Sequence, residues 1–179
     1  MAKSGKTLPG PVVAFDIEVA GLEWEEVDEA TRHYLMAREK RRIGSSEVDV
    51  EALQHRLALV RGMGRVVSIG MWNMDKDQGA VLVHGSGCRW EEFDEKAETK
   101  VYRGNERELL EEFWKLAQTW GSVVTYNGRA YDGPVLMTRS AMLGVAPSRQ
   151  LCGYRYRVTD HCDLLDLLNF QGAARESYS

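Results

Sequence analysis

The chain has 179 residues, 44% of them hydrophobic and 28% charged, with a formal net charge of −4. That is enough for one ordinary soluble domain with its own core, with no apolar run long enough to span a bilayer and no basic excess of the kind that holds a protein to nucleic acid by charge alone. Three scattered cysteines, Cys88, Cys152 and Cys162, favour neither a disulfide framework nor a zinc site and fit a reduced, cytoplasmic setting.

In chain order, residues 1–11 (MAKSGKTLPGP) are polar and read as a loose N-terminal arm rather than a secretory leader. Residues 12–179 show no repeat, linker or low-complexity tract and are expected to form a single domain. The run PVVAFDIE predicts a strand whose period of two sets Asp16 and Glu18 on one face and Phe15 and Ile17 on the other. Glu23 to Leu59 predicts a charged helical insertion. Val27, Ala30, Tyr34 and Leu35 recur at helical spacing, REKRR (Arg38 to Arg42) and IGSS interrupt, and Leu53, Leu57 and Val60 suggest a second helix. The acidic cluster at Glu23, Glu25, Glu26, Asp28 and Glu29 and the basic REKRR both read as solvated faces, the latter also able to touch phosphates.

GRVVSIGMW and AVLVHG predict two further strands joined by the turn NMDKDQG. Asn105 and Glu108 predict a capping box that opens the clearest helix, with Leu109, Leu110, Phe113, Trp114, Ala117 and Trp120 as its apolar stripe. GSVVTYNG predicts a strand ending in a turn, and Pro134 and Gly144 bracket a following helix. VTDHCDLLDLL is ambiguous between a strand end and a helix. The order implies an α/β fold: a mixed sheet, its first three strands antiparallel and a later one parallel, flanked by helices.

Chemistry concentrates at two places. VVAF is a continuous apolar run, as in a strand central to its sheet, and carboxylates at the end of such a strand are costly unless they meet cations or donors. In VVTYNGRAYDGPVL a second apolar strand ends near Asn127 and Gly128, and Asp132 stands just before a helix, where it would equally serve as an N-cap. Asp16, Glu18 and Asp132 are hard oxygen donors without His or Cys, a set suited to Mg²⁺ or Mn²⁺.

FDIE followed by NGRAYD resembles the first two motifs of the DEDD 3′–5′ exonucleases of the ribonuclease H-like superfamily, most closely the exonuclease domains of family-B DNA polymerases and their stand-alone prokaryotic relatives. The segments GRVVSIGMW, FWKLAQTWGSVVTYNG and PVLMTRSAMLGV share the likeness, which extends over most of the chain from Val12 onward and is weakest in the insertion at Glu23 to Leu59. The resemblance implies a ribonuclease H-like sheet and hydrolysis of single-stranded DNA from its 3′ end, with RNA as the alternative. It implies two Mg²⁺ or Mn²⁺ ions, with Asp16, Glu18 and Asp132 as catalytic metal ligands. Ile17, Asn127 and Tyr131 would bind the terminal nucleotide, and Asp163 would support the site from behind the ligands.

The resemblance stops short of a third motif, the Tyr or His followed by a fourth metal-binding Asp. Tyr156 and Asp160 have the spacing but fall too early, and His161 is out of place. The expectation is a fragment or short form, with an apolar surface covered by a homodimer or a partner chain, and turnover lowered by orders of magnitude if the water-orienting group is absent. The rival reading is a non-catalytic nucleic-acid-binding or assembly module that keeps the fold and leans on Arg129 and Arg139. A Rossmann-type nucleotide domain is disfavoured, because no G-x-G-x-x-G follows the first strand.

Overall fold

The structure, a computed structural model, describes residues 10–45, 47–60, 62–94 and 98–173. All but the last two residues of the expected N-terminal arm lie outside them. The chain divides into two compact units: residues 1–18 with 66–179, and residues 19–65.

The larger unit is built on a mixed sheet. Strands β1 (Val12–Gly21), β2 (Gly64–Asn73), β3 (Gln78–His84), β4 (Arg89–Asp94), β5 (Thr99–Gly104), β6 (Ser122–Thr125) and β7 (His161–Asp163) lie in the order β4-β5-β3-β2-β1-β6-β7. β2 and β3 pair antiparallel, closing the expected hairpin with Asn73 opposite Gln78. The Met74 amide, just past β2, donates to the Val12 carbonyl at the start of β1 (2.9 Å), as antiparallel neighbours do. β6 joins β1 in parallel, and β7 joins β6 in parallel. The expected α/β architecture is therefore present, extended by β5, parallel to β3, and β4, antiparallel to β5.

β4 and β5 are absent from the sequence reading. RWEEFD carries three acidic side chains in six residues, which reads as a loop. At a sheet edge charged side chains stay in water and discourage further pairing, so a charged strand is stable there. Trp90 on β4 packs against Tyr102 with ring centroids 5.5 Å apart and donates to Glu112 (3.1 Å).

Helix α3 (Glu106–Ala117) begins at the expected capping box. Asn105 accepts from the Glu108 amide (3.2 Å), and Glu108 accepts from the Asn105 amide (2.7 Å). Its apolar stripe is buried, and Phe113 meets Phe15 of β1 edge-on at 5.5 Å. Helix α4 (Asp132–Leu143) has Pro134 in its first turn and ends at Gly144, whose φ of 65° is the left-handed C-cap glycine provides cheaply. The indole of Trp114 donates to Ser140 (2.7 Å), tying α3 to α4. HCDLLDLL resolves as both alternatives in succession: β7, then the short helix α5 (Leu164–Leu168).

In the smaller unit, helix α1 (Glu29–Ile43) runs through REKRR and ends at Gly44. The basic run is thus the last two turns of a helix, where cations complement the macrodipole, and does not interrupt it. One residue inside it is not solvated: Glu39 is buried and pairs with Arg42 (2.8 Å) and Arg56. Helix α2 (Val50–His55) follows, and Leu53 and Leu57 pack with Val27 and Leu35 into a small core. Tyr34, on the same predicted stripe, is exposed.

Candidate metal and nuclease site

β1 places the first two candidates. Val13, Phe15 and Ile17 are buried, while Asp16 and Glu18 are exposed on the opposite face. β1 itself runs on to Gly21, but its pairing with β6 ends at Ala14 opposite Val124. Beyond that point the strand has lost a neighbour on one side, so a backbone amide there needs another acceptor. The amide of Ile17 finds it in Asp132, donating to the carboxylate Oδ1 at 3.2 Å.

Asp132 reaches β1 because of the turn after β6. Asn127 adopts φ of 61°, in the left-handed region that Asn tolerates. A side chain at Gly128 would lie 2.3 Å from Thr125 Oγ1, so only glycine passes that close. The Asn127 carbonyl then accepts from the Ala130 and Tyr131 amides (both 3.1 Å), and the Gly128 carbonyl accepts from Gly133 (2.7 Å). The N-cap position of α4 falls to Tyr131 with no side-chain cap bond, and Asp132 is the first helical residue, its carboxylate spent across the gap on β1. The simple capping role is therefore excluded by the register of the helix.

Asp132 is buried and hydrogen-bonded to Asp16. Burial first, and the neighbouring Asp16 charge second, push its pKa up to about 7. Tyr131, half-buried, has its phenol pushed up by burial, then by Asp132, then by Glu18. All four side chains thus share one electrostatic neighbourhood. At neutral pH the Tyr131 hydroxyl keeps its proton and acts as a donor, not as a base.

Among the described residues, no Arg or Lys forms an ion pair with Asp16, Glu18 or Asp132. Nor do three His, Cys, Asp or Glu side chains there already converge as a preformed metal cage. Two carboxyls meet, and Glu18 stands two residues along the same strand face. A buried carboxyl against a second one, with no protein cation, is the chemistry that a hard divalent ion would satisfy.

Asp163 is buried at the end of β7. Its carboxylate accepts from the amides of Asn127 (2.9 Å) and Arg129 (2.9 Å), and from Leu165 (3.0 Å) as the N-cap of α5. It therefore holds the turn that delivers Asn127, Tyr131 and Asp132. Ile17 contributes its amide, since its side chain is buried.

Both arginines on which the binding-module reading leans are turned inward. Arg139 is buried in a two-point pair with Glu106 (2.7 and 2.5 Å), and Glu106 also accepts from the Val66 amide (2.8 Å). Arg129 donates to the carbonyls of Gly153 (3.0 Å), Arg157 (3.3 Å) and His161. Neither is available to phosphate. His161 is structural: its ring bonds the Leu151 carbonyl through Nδ1 (2.8 Å) and Thr125 through Nε2 (2.7 Å). Since a carbonyl only accepts, Nδ1 carries the proton and the ring is neutral, in line with a pKa lowered by burial. The His161–Thr125 bond and the Arg129 anchor went unread in the sequence. The available signal was their position, each within a few residues of an apolar strand's end.

A family model described as a predicted 3′–5′ exonuclease related to the exonuclease domain of PolB matches residues 59–178, about two thirds of the chain. No curated protein matches the chain. The matched segment contains Asn127, Tyr131, Asp132 and Asp163, whereas Asp16 and Glu18 precede it and join the site through the fold. Among the described residues no helix is long and apolar enough to cross a membrane.

Proposed function

The chain belongs to the family of predicted 3′–5′ exonucleases related to the exonuclease domain of PolB, and from that premise we propose that it hydrolyses single-stranded DNA from the 3′ end with divalent metal ions. The observation that carries the reading is the carboxyl pair of Asp16 and buried Asp132, short of positive charge. Asp16 and Asp132 would hold Mg²⁺ or Mn²⁺ with Glu18 completing the donor set, and the oxygen-only chemistry fits those ions. Two such ions, when bound, supply a water of lowered pKa and charge to offset that of the leaving 3′ oxygen.

The chain's own residues do the positioning. The Ile17 amide fixes one oxygen of Asp132, and Asp16 meets the same carboxyl. The Tyr131 hydroxyl, held protonated, donates toward the reacting phosphate or a neighbouring carboxylate. Asn127, fixed by Asp163, borders the path of the 3′-terminal nucleotide. The stacking surface that Tyr131 offers is sequence-tolerant, as an exonuclease requires. A homodimer is part of the same proposal, and a clean monomer by sedimentation at high concentration removes that part.

The test is degradation of a 5′-labelled single strand with Mn²⁺, comparing wild type with Asp16→Asn. A ladder shortening from the 3′ end, reduced about a thousandfold or more in the variant, is expected from loss of several kcal/mol of charge stabilisation. Undiminished cleavage by Asp16→Asn rejects the site. Absence of cleavage by wild type, together with intact DNA binding, favours the non-catalytic module instead.

A further inference from the structure

Residues 153–157 read Gly-Tyr-Arg-Tyr-Arg and lie between α4 and β7. Tyr154 is 73% exposed and Tyr156 54%. Their rings touch, with centroids 5.3 Å apart and planes tilted by 59°. Tyrosines usually bury much of their ring, so two exposed ones in contact on five residues add little to the core.

The backbone beneath them is not loose. One guanidinium, that of Arg129, donates to the carbonyls of Gly153 and Arg157 at the two ends of the stretch, and to His161 at the start of β7. Arg129 belongs to the turn that delivers Tyr131 and Asp132, and its own amide is held by Asp163. The exposed rings are therefore mounted on the frame that aims the candidate site. A cavity of about 290 Å³ bordered by Asn127, Arg129, Gly153, Arg155, Asp163 and Asp166 lies between the stretch and Asn127.

The alternating arginines are paired but reachable. Arg155 meets Asp166, and Arg157 meets Asp160 at 3.0 Å, with side chains 48% and 64% exposed. Exposed pairs of this kind contribute little, so a phosphate can take over the outer N–H groups.

We propose that Tyr154 to Arg157 is a docking strip for single-stranded nucleic acid, with Tyr154 and Tyr156 stacking on unpaired bases and Arg155 and Arg157 contacting the phosphates between them. A duplex keeps its bases stacked on each other and offers the rings nothing, so the strip selects unpaired strand. The inference rests on the exonuclease reading for why a strand is delivered toward Asn127. Binding itself is measured separately from cleavage.

The experiment is fluorescence anisotropy of a labelled oligothymidylate and of a duplex of the same length, in EDTA, with the full chain. Tyr154→Ala and Tyr156→Ala each weaken single-strand binding by roughly tenfold. Tyr154→Phe and Tyr156→Phe keep the ring and keep affinity, which separates stacking from misfolding. Arg155→Gln with Arg157→Gln reduces the slope of log affinity against log salt by about 1.4. Unchanged affinity in the alanine variants, an equal loss on duplex, or no binding by wild type overturns the strip. Wild-type turnover of the same strand with Mn²⁺ reports on the exonuclease reading alone. Tyrosine-dependent binding without turnover keeps the strip and removes that reading.

Discussion

Two pairs of charged side chains lie within the sheet-bearing unit, and they reach neutrality by opposite routes. Glu106 and Arg139 are both buried and cancel each other across two hydrogen bonds, with the Val66 amide filling a further acceptor position on Glu106. Asp132 is equally buried but faces Asp16, a group of its own sign, with only the Ile17 amide as a charge-stabilising donor from β1. The first pair is complete as folded and binds α3, α4 and β2 together. The second is complete only with a proton or an added cation. Buried charge therefore points to chemistry here only where the protein has withheld the counter-charge.

That contrast can be broken first at the closed pair. Arg139→Met leaves Glu106 buried and uncompensated, and should cost about 3–5 kcal/mol in urea unfolding, since removing one partner strands the other. Glu106→Gln together with Arg139→Met should recover part of that loss. A single variant as stable as wild type would mean that the pair is not holding the helices.

The open pair predicts a smaller effect of opposite sense. The Asp132 carboxyl titrates at about 7 in the fold against 3.8 as a free side chain. The folded state thus binds the proton more tightly than the unfolded one, and stability falls as pH rises through that window. In EDTA the wild type should be less stable at pH 8 than at pH 5, relative to Asp132→Asn, which lacks the group. Mn²⁺ at pH 8 should restore the difference. Melting temperatures of wild type and variant that run parallel across pH in EDTA would contradict the carboxyl pairing.

The smallest expected effect sharpens the comparison at its edge. Asp163→Asn keeps the shape of the side chain but weakens acceptance from the Asn127 and Arg129 amides. Stability should fall by about 1–2 kcal/mol. Turnover should fall more through kcat than through KM, because Asp132 is delivered less well while the strand still docks. A pure KM effect would move Asp163 to the substrate path.

What depends on local periodicity is legible in the sequence. Alternation in VVAFDIE separated Phe15 and Ile17 from Asp16 and Glu18, and the Asn105–Glu108 box and the Pro134–Gly144 bracket are one-turn chemistries that need no tertiary partner. What is not legible is an environment set at long range. Arg139 reads as a basic residue open to a nucleic acid because Glu106, its neutraliser, lies 33 residues earlier. Glu39 was hidden in a basic run because burial is decided by packing and by Arg56, not by its neighbours in sequence. β4 is not legible because a sheet edge permits the charges that a strand template forbids. Asp132 was legible as a sheet-end carboxyl, but its bond to Ile17 spans 115 residues and appears only in the fold.

Arg129 sets a narrow limit on substitution at its own position. Its two terminal nitrogens serve three carbonyls spread over nine residues, and its Nε is buried with no hydrogen-bond partner among the described residues. Lysine brings one nitrogen where a planar fork is needed and cannot span the carbonyls of Gly153 and Arg157. Position 129 should thus be intolerant even of the nearest chemical relative. In a saturation library scored for folding, the codon for this side chain would stand almost alone, although nothing in its local sequence distinguishes it from an ordinary surface arginine.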